Sequence, residues 1–318
     1  MQHIKSVSIV IPVYKSTESV RELCEELSAV AERDRLDFEI VLVDDGNTSE
    51  IGIYLDALCV RHHNLVVVHL SRNYGQHAAV LAGINIATRE WVITMDDDLQ
   101  HSPSDIPKLI DVCGSQCDLV YAVPIEQNHG KLRGLLSQCV KKIIALDSQS
   151  QHIGYHSAFR LFRRSLLTSF SDLRQPIINI DQMLAWKTTK VSRVDVVHNV
   201  RRFGTSNYSV QHLVRHAVYL LLNFTTWPLK MASVLGFVSC IVSFAILGFV
   251  VIQRIVTGTP VPGFAFIASS VVFFGGIQLL SIGIIGEYIS QIFIRTSDQP
   301  TYSVGSTVSW TSHHGGIE

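Results

Sequence analysis

Two long apolar segments without a charged residue lie in the last third of the chain, and they limit how it can fold. The first runs from Met231 to Gln253 and the second from Ile255 to Gly286. A helix of about 22 residues is about 33 Å long, which is enough to cross the hydrocarbon core of a bilayer. The sequence therefore predicts two transmembrane helices, 231–253 and 264–286, joined as a hairpin rather than buried in a soluble core.

The two sides of this predicted hairpin differ in charge. Only Arg254 lies at the short connection, whereas the outer ends are flanked by Arg201, Arg202, Arg215, Lys230 and Arg295. Because loops rich in Lys and Arg stay on the cytoplasmic side, we expect residues 1–208 and the polar tail 287–318 to be cytoplasmic. The net charge of −1 gives no indication of a nucleic-acid partner.

Apolar residues recur at helical spacing in residues 209–230, just before the first predicted span. Leu213, Ala217 and Leu220 fall on one side of this segment, and Arg215 is polar. The pattern is typical of an amphipathic helix at a membrane surface. An ordinary packed helix has the same periodicity, so both interpretations stay open.

Strands and helices alternate in the first 208 residues. Apolar runs at Ser6–Val13, Phe38–Val43, Leu65–Leu70 and Trp91–Met95 predict buried strands, with helices between them. Such βαβ units build a mainly parallel sheet, so we expect an α/β domain over residues 1–208. Neither G-x-G-x-x-G after the first strand nor G-x-x-x-x-G-K-[ST] occurs, which argues against the common dinucleotide and P-loop sites.

Polar side chains follow each of these strands. The carboxyl ends of the strands are where ligands bind in open α/β sheets. The set combines carboxylates with an arginine, an amide and an aromatic ring, and its members are Tyr14, Asp44, Asp45, Arg72, Asn73, Asp96 and Asp98. We therefore expect a nucleotide to bind at this edge of the sheet.

The acidic triplet Asp96-Asp97-Asp98 follows the last of these strands. Three adjacent anions repel one another, so a fold that gathers them usually offers a cation in return. In an extended segment Asp96 and Asp98 project to the same side, because side chains alternate along a strand. This pair suits Mg²⁺ or Mn²⁺ that itself holds a diphosphate. For the triplet taken alone, a solvated acidic turn is the alternative.

Arg160 stands in an apolar, strand-like run, Ala158–Phe162. An inward-pointing arginine requires a buried anionic partner, and a diphosphate would be one. Residues 125–174 around it are the most basic part of the chain. For the paired Lys141 and Lys142 of this region, a solvated helix surface is the simpler interpretation.

Seven short segments occur in a fixed order over nearly the whole chain. They are V-I-P-V-Y (10–14), V-D-D-G (43–46), L-S-R-N-Y-G (70–75), M-D-D-D-L-Q (95–100), F-R-L (159–161), R-R-F-G-T-S-N-Y (201–208) and G-I-I-G-E-Y-I (283–289). Together they resemble glycosyltransferase family 2, and most of all its polyprenyl-phosphate glycosyltransferases, such as the dolichol-phosphate mannose synthase, bactoprenol glucosyltransferase and undecaprenyl-phosphate aminoarabinose transferase classes. The resemblance implies a GT-A type of fold with a Rossmann-like, mainly parallel sheet.

The resemblance also implies a role for each candidate residue. The nucleotide-sugar donor would bind to Pro12, Tyr14, Asp44, Asp45, Arg72, Asn73, Gln76 and Asp97, with a carboxylate accepting the uracil N–H. Asp96 and Asp98 would form the catalytic Asp-x-Asp pair for Mg²⁺ or Mn²⁺, with Asp98 the more direct ligand. The catalytic Arg160 and Arg201 would face phosphates of the donor or the lipid acceptor, and the lipid phosphate would approach Lys131, Arg133 and Arg202.

The implied reaction is the inverting transfer of one sugar from a nucleotide-sugar, first of all a UDP-sugar, to undecaprenyl phosphate. Its product would be a lipid-linked sugar for modification of a cell-envelope glycan or lipid. The enzyme would be a multi-pass protein of the bacterial inner membrane with its catalytic domain in the cytoplasm. Related enzymes assemble through their membrane tails, so the resemblance further implies a homo-oligomer, either a dimer or a tetramer.

Two departures from the family pattern leave alternatives open. Gly154–Ala158 holds no acidic residue, although related enzymes often carry one there, and Asn207 replaces a lysine of the G-x-S-K-Y signature. The chain could instead be a family-2 transferase for another lipid or a polysaccharide, or a non-catalytic nucleotide-sugar-binding membrane scaffold. However, a phosphate monoester has a second pKa of about 6, so an acceptor of this kind needs no base. His156 and Asp181 are the candidates for an assisting group.

Overall fold

The structure, a computed structural model, describes residues 4–113, 117–125, 157–168, 180–197, 227–257, 263–297 and 300–310. These residues form two compact units. An α/β unit contains the described residues up to 197 and those from 297 onward, and a helical unit contains those from 227 to 296. The chain thus leaves the α/β unit, forms the helical unit and returns to the α/β unit with its last residues.

One sheet of eight strands organises the α/β unit. The strands are β1 (Ser6–Val13), β2 (Asp37–Asp44), β3 (Leu65–Leu70), β4 (Trp91–Thr94), β5 (Leu119–Pro124), β6 (Arg160–Arg163), β7 (Val191–Val196) and β8 (Val304–Ser309). Their order in the sheet is β7-β5-β6-β4-β1-β2-β3-β8. The neighbours β4, β1, β2 and β3 are parallel, as the alternating sequence pattern predicts. β6 lies antiparallel between β4 and β5, so the sheet is mixed.

Helices cover both faces of this sheet. They are α1 (Glu18–Asp34), α2 (Ser49–Arg61), α3 (Gln76–Ile86), α4 (Ile106–Cys113), α5 (Ser165–Thr168) and α6 (Ile180–Lys187). One core cluster packs α1, α2 and α4 against residues such as Ile9 and Ile40, and the other packs α3, α5 and α6 against residues such as Val10 and Val41. Because side chains alternate along a strand and both faces are covered, the central strands are almost continuously apolar.

The outer edge of β3 is paired with β8, which runs antiparallel to it. Next to this pairing, the backbone N–H of Ser71 donates to the Ser303 carbonyl at 2.9 Å, and Asn85 Nδ2 donates to the Tyr302 hydroxyl at 2.7 Å. The polar tail gave no sequence signal for a strand. Its return closes an edge that would otherwise expose unpaired backbone groups.

The helical unit contains α7 (Trp227–Thr257) and α8 (Phe264–Thr296), which contact each other. Both are long and apolar enough to cross a membrane, with the most apolar windows at Leu229–Gln253 and Phe273–Ile294. Neither window is buried within the structure. The predicted spans 231–253 and 264–286 lie inside these two helices, whereas the predicted tail 287–318 begins inside α8.

Several sequence-based expectations lie outside the described residues. These are the catalytic Arg201, the lipid-phosphate candidates Lys131, Arg133 and Arg202, the replaced lysine position Asn207, the candidate helper His156, and residues 209–226 of the amphipathic segment.

Candidate active site

The ends of β1, β2 and β3 are joined by hydrogen bonds that two adjacent carboxylates accept. Asp45 accepts from the backbone N–H groups of Tyr74 at 2.7 Å and Gly75 at 3.0 Å, so it holds the loop that follows β3. Burial raises the pKa of Asp45, and these two N–H groups oppose the rise. The loop carries Arg72, whose guanidinium lies 4.7 Å from the centre of the Tyr74 ring.

Asp44 braces the other side of this edge. Its Oδ1 accepts from both the backbone N–H and the side-chain Nδ2 of Asn47, at 2.9 and 2.7 Å, and its Oδ2 contacts His69 Nδ1 at 2.7 Å. Burial alone would raise the pKa of Asp44, but the hydrogen bonds from His69 and Asn47 outweigh it and lower that pKa. A carboxylate has about four acceptor positions, so both aspartates keep capacity for a further donor.

Gly46 lies where the turn after β2 meets the loop after β3. Its φ is +68°, and a Cβ at this position would lie 2.2 Å from the Asn73 backbone nitrogen. We expect Gly46→Ala to lower the free energy of unfolding by about 2–4 kcal/mol, because the loop must move and the backbone is strained. Chemical denaturation of the full chain in detergent would measure this loss.

Gly75 provides the matched control for that substitution. Its φ is +90°, but no described atom lies within 4 Å of the position that a Cβ would take. Gly75→Ala should therefore cost backbone strain alone, about 2–3 kcal/mol, because its ψ of 158° lies in a region that is essentially restricted to glycine. A loss below about 1 kcal/mol in Gly46→Ala would contradict the close approach of Gly46 to Asn73.

The acidic triplet follows β4, but not as an extended segment. β4 ends at Thr94 and the triplet lies in a turn in which Leu99 has a φ of 58°. We expected Asp96 and Asp98 to project to one side because side chains alternate along an extended strand. The strand ends before the triplet, so this reason does not apply. Asp96 instead accepts a hydrogen bond from Gln76 Nε2, and Asp98 Oδ1 accepts from the Gln100 backbone N–H at 3.1 Å.

Asp97, the middle residue of the triplet, points toward the loop after β1. Burial raises its pKa, while the nearby Ser16 hydroxyl and Tyr14 backbone N–H oppose the rise. The Tyr14 side chain itself is 48% exposed. The triplet thus connects the end of β4 to the end of β1.

A cavity of about 210 Å³ opens beside Asp96. It lies between the first turn of α3, the end of β4, the start of β6 and α6. Its lining residues are Gln76, His77, Val80, Thr94, Met95, Asp96, Ala158, Arg160 and Asp181. Two of the predicted donor or metal residues, Gln76 and Asp96, therefore meet the predicted catalytic arginine at one place.

Arg160 is 3% exposed and has an anionic partner from its own chain. Its guanidinium donates to Asp181 Oδ1 and, through Nε, to the Thr94 hydroxyl at 3.0 Å. The Tyr121 hydroxyl also donates to Asp181 Oδ1, at 3.0 Å. Burial alone would lower the pKa of Arg160, but Asp181 outweighs it and the pKa is raised. Asp181 is thus the buried anionic partner that this arginine was expected to need.

His77 lines the same cavity and was missed by the sequence reasoning. Desolvation and the nearby charge of Arg160 lower its pKa, which favours the neutral imidazole. The sequence feature that could have identified His77 is its position in the first turn of α3, directly after the candidate residue Gln76. Asp181 was recognised only as one of two possible helpers, because its contact with Arg160 joins residues far apart in the sequence.

The remaining predicted donor residues lie along the strand ends next to this cavity. Pro12 belongs to β1, and Tyr14, Asp44, Asp45, Arg72 and Asn73 follow β1, β2 and β3. Among the described residues, no group of three or more His, Cys, Asp and Glu side chains could hold a metal ion. Proteins commonly bind Mg²⁺ at phosphates with only one or two carboxylates, and substrate oxygens complete the coordination.

Comparison with known structures shows the fold. The crystal structure of mannosyl-3-phosphoglycerate synthase from Rubrobacter xylanophilus has a TM-score of 0.52 and 16% identity, over 71% of this chain and 74% of that chain. Glucosyl-3-phosphoglycerate synthase from Mycobacterium tuberculosis, in complex with Mn²⁺, UDP-glucose and phosphoglyceric acid, has a TM-score of 0.50 and 18% identity, over 69% and 79%. The expected GT-A type of fold is confirmed.

Comparison with known sequences extends over the whole chain. An undecaprenyl-phosphate 4-deoxy-4-formamido-L-arabinose transferase from Serratia proteamaculans is 31% identical over 317 residues, which cover 99% of this chain and 97% of the relative. A protein of the same name from Pectobacterium carotovorum is 32% identical, over 96% and 94%. The family model for glycosyl transferase family 2 matches residues 8–170, from β1 to just beyond α5. The chain belongs to glycosyl transferase family 2.

Proposed function

We propose that this glycosyltransferase moves one sugar from a UDP-sugar to undecaprenyl phosphate, with inversion at the anomeric carbon. The observation that carries the proposal is the 31% identity over 99% of the chain with an enzyme named for an undecaprenyl-phosphate acceptor. That similarity includes the two apolar helices as well as the α/β unit. An enzyme for a long polyprenyl lipid requires contact with a membrane, and α7 and α8 are suited to it.

The site is suited to an acceptor that brings its own charge. A phosphate monoester is largely dianionic at neutral pH and attacks without a general base. The task of the protein is then to bring two anions together, which requires positive charge and oriented donors. The buried Arg160 is held in place by Asp181 and Thr94, so its charge is fixed at the cavity before any substrate arrives. Arg201 is proposed to act beside it.

The donor is proposed to bind along the strand ends. Asp44 and Asp45 are already oriented by the hydrogen bonds that hold the two loops, and one of them would accept the uracil N–H. Asp96 and Asp98 would hold Mg²⁺ or Mn²⁺ together with the diphosphate. A divalent ion bound there neutralises the leaving group. Gln76, through its hydrogen bond to Asp96, would keep that carboxylate in place.

The protein is proposed to lie in the bacterial inner membrane with its α/β unit in the cytoplasm. β8 follows α8 in the chain and pairs with β3 of the same sheet that holds β1 and β2. If α7 and α8 both cross the bilayer, the chain returns to the side of the membrane from which it started. The pairing of β8 with β3 requires this return. The basic residues near the outer ends favour the cytoplasmic side.

A transfer assay on the purified full chain tests the proposal. The protein is incubated with Mg²⁺ or Mn²⁺, undecaprenyl phosphate and each of a panel of radiolabelled nucleotide sugars, and the lipid extract is counted. We expect one UDP-sugar to label the lipid, and the activity to sediment with the membrane fraction of cells. Undecaprenol, which lacks only the phosphate, is the matched acceptor control and should remain unlabelled.

The possible outcomes separate the alternatives. Labelling of a glycan but not of undecaprenyl phosphate would contradict the proposal that the acceptor is undecaprenyl phosphate. The family assignment would be unaffected. Binding of a nucleotide sugar without turnover on any acceptor would instead support a scaffold. Transfer of a sugar from a nucleotide-sugar other than a UDP-sugar would contradict the proposed donor.

A further inference from the structure

His69 forms a hydrogen-bonded bridge beneath the proposed nucleotide site. Its Nδ1 lies 2.7 Å from Asp44 Oδ2 and its Nε2 lies 2.9 Å from Asp56 Oδ1. The side chain of His69 is 16% exposed, that of Asp44 is 7% exposed and that of Asp56 is 36% exposed. The bridge therefore runs from the surface of α2, through β3, to the buried end of β2.

The geometry favours a positively charged imidazole. Ionised carboxylates only accept hydrogen bonds, so each ring nitrogen must carry a hydrogen to donate to its partner. An imidazolium between two carboxylates meets this requirement, whereas a neutral ring would turn a lone pair toward one of them. The β8 neighbour of His69 is the uncharged Ser306, whereas Asp45 lies close enough to Asp44, and Cys59 close enough to Asp56, for their charges to interact.

The bridge continues from Asp44 to the loop after β1. Asn47 Nδ2 donates to Asp44 Oδ1 and to the Val13 carbonyl at 2.8 Å, while Asn47 Oδ1 accepts from the Lys15 backbone N–H at 2.6 Å. Lys15 has a φ of 59°, a strained conformation that needs such support. The loop also carries Tyr14, a candidate for the nucleoside pocket.

We infer that His69 is a positioning residue for nucleotide binding, which acts by fixing Asp44 and, through Asn47, the loop after β1. The inference rests on the proposed function, because it concerns affinity for the proposed donor. When His69 loses its proton, Asp44 loses a charged donor, and its support of Asn47 and of the loop after β1 weakens. The protein should then bind nucleotide more weakly, while the cavity around Arg160 is unchanged.

The direction of the pH dependence follows from the partners of His69. The hydrogen bond to Asp44 raises the pKa of His69; burial opposes this, and Asp56 adds to the rise. A raised pKa means that the bridge is complete below the ordinary histidine pKa of about 6.5 and is lost as the pH rises through the folded-state value. Nucleotide affinity should therefore weaken on the alkaline side.

Asp56→Asn is the sharpest test, because asparagine keeps an acceptor for His69 and removes only the charge. The dissociation constant of UDP with Mg²⁺ is measured by calorimetry on the full chain from about pH 6 to about pH 9. The variant should match wild type at the acidic end, and its alkaline weakening should begin about one pH unit lower. Taking the ratio of the two constants at each pH removes the titration of UDP and of His77.

His69→Gln provides the second test. It should weaken UDP binding about tenfold at neutral pH, the loss expected for one charged hydrogen bond, and abolish the alkaline limb. At saturating donor its kcat should stay within about twofold of wild type, because the residue acts on binding. Asp111→Asn, which removes an exposed carboxylate from α4, is the control and should leave both constants unchanged.

The results separate this inference from the proposed function. The ratio of the UDP dissociation constants of Asp56→Asn and wild type could stay the same over the whole pH range. This result would overturn the role of His69, whereas UDP binding by both proteins would still support the proposed donor. Absence of UDP binding by wild type would overturn both. If His69→Gln does not fold, Asp56→Asn alone decides the question.

Discussion

Replacement of Asp98 by alanine should reduce sugar transfer by at least about 100-fold, the usual effect of removing a group that stabilises charge in the transition state. Asp98 lies in the turn after β4, two residues beyond Asp96, which lines the cavity. Without it, the proposed divalent ion would lose one of two protein ligands, and the diphosphate would leave with its charge poorly neutralised. The radiolabelled lipid assay measures the loss at saturating donor and acceptor.

Two comparisons make this result specific. Asp96→Asn should also reduce transfer strongly, whereas Asp111→Asn, at an exposed carboxylate on α4, should leave it unchanged. The dependence of the rate on Mn²⁺ concentration should move to higher concentrations in Asp96→Asn. Product formation by Asp98→Ala at the wild-type rate would remove the metal role from the acidic triplet.

Replacement of Arg160 by methionine should lower the free energy of unfolding by about 3–5 kcal/mol, because it leaves Asp181 as a largely buried carboxylate without its cation. The side chain of Asp181 is 13% exposed, and the Tyr121 hydroxyl that donates to it at 3.0 Å carries no charge to replace that of Arg160. Transfer should be lost as well, because the cavity loses its buried positive charge. Denaturation in detergent and the lipid assay measure the two effects separately.

A double substitution distinguishes the two roles of this arginine. In Arg160→Met with Asp181→Leu the buried pair is replaced by apolar side chains, which often restores stability. Stability should recover, but transfer should not. Arg163→Met on the same strand removes the half-exposed pairs with Glu90 and Asp118 and the contact with the Trp91 ring, and should cost about 1–2 kcal/mol without abolishing transfer. Recovery of transfer in the double variant would show that Arg160 serves only the fold.

The parallel core of the sheet could be predicted because each strand repeats a strong local signal. β1, β2, β3 and β4 are short apolar runs that end in polar residues, and their order follows from simple βαβ connections. β8 could not be predicted, because its residues are polar and it forms only by pairing with β3 across the chain. The same reason hides the antiparallel direction of β6.

The candidate site divides in a similar way. Motifs in one short segment, such as Asp44-Asp45-Gly46 and Asp96-Asp97-Asp98, identify residues that the structure places along one edge of the sheet. Contacts between distant segments do not appear in such motifs. The pairing of Arg160 with Asp181 and the bridge from Asp56 through His69 to Asp44 depend on how helices and strands pack, so sequence spacing alone does not reveal them.

The return of the chain from α8 to β8 has a consequence for biogenesis. The ribosome releases β3 long before it releases β8, so the sheet edge stays open until the last residues emerge. Only an even number of membrane crossings between residues 197 and 300 can bring β8 to the compartment in which β3 lies. A chain in which one helix fails to insert would keep an unpaired edge, a feature that favours aggregation. Completion of the sheet would thereby exclude a chain in which only one of the two helices has inserted.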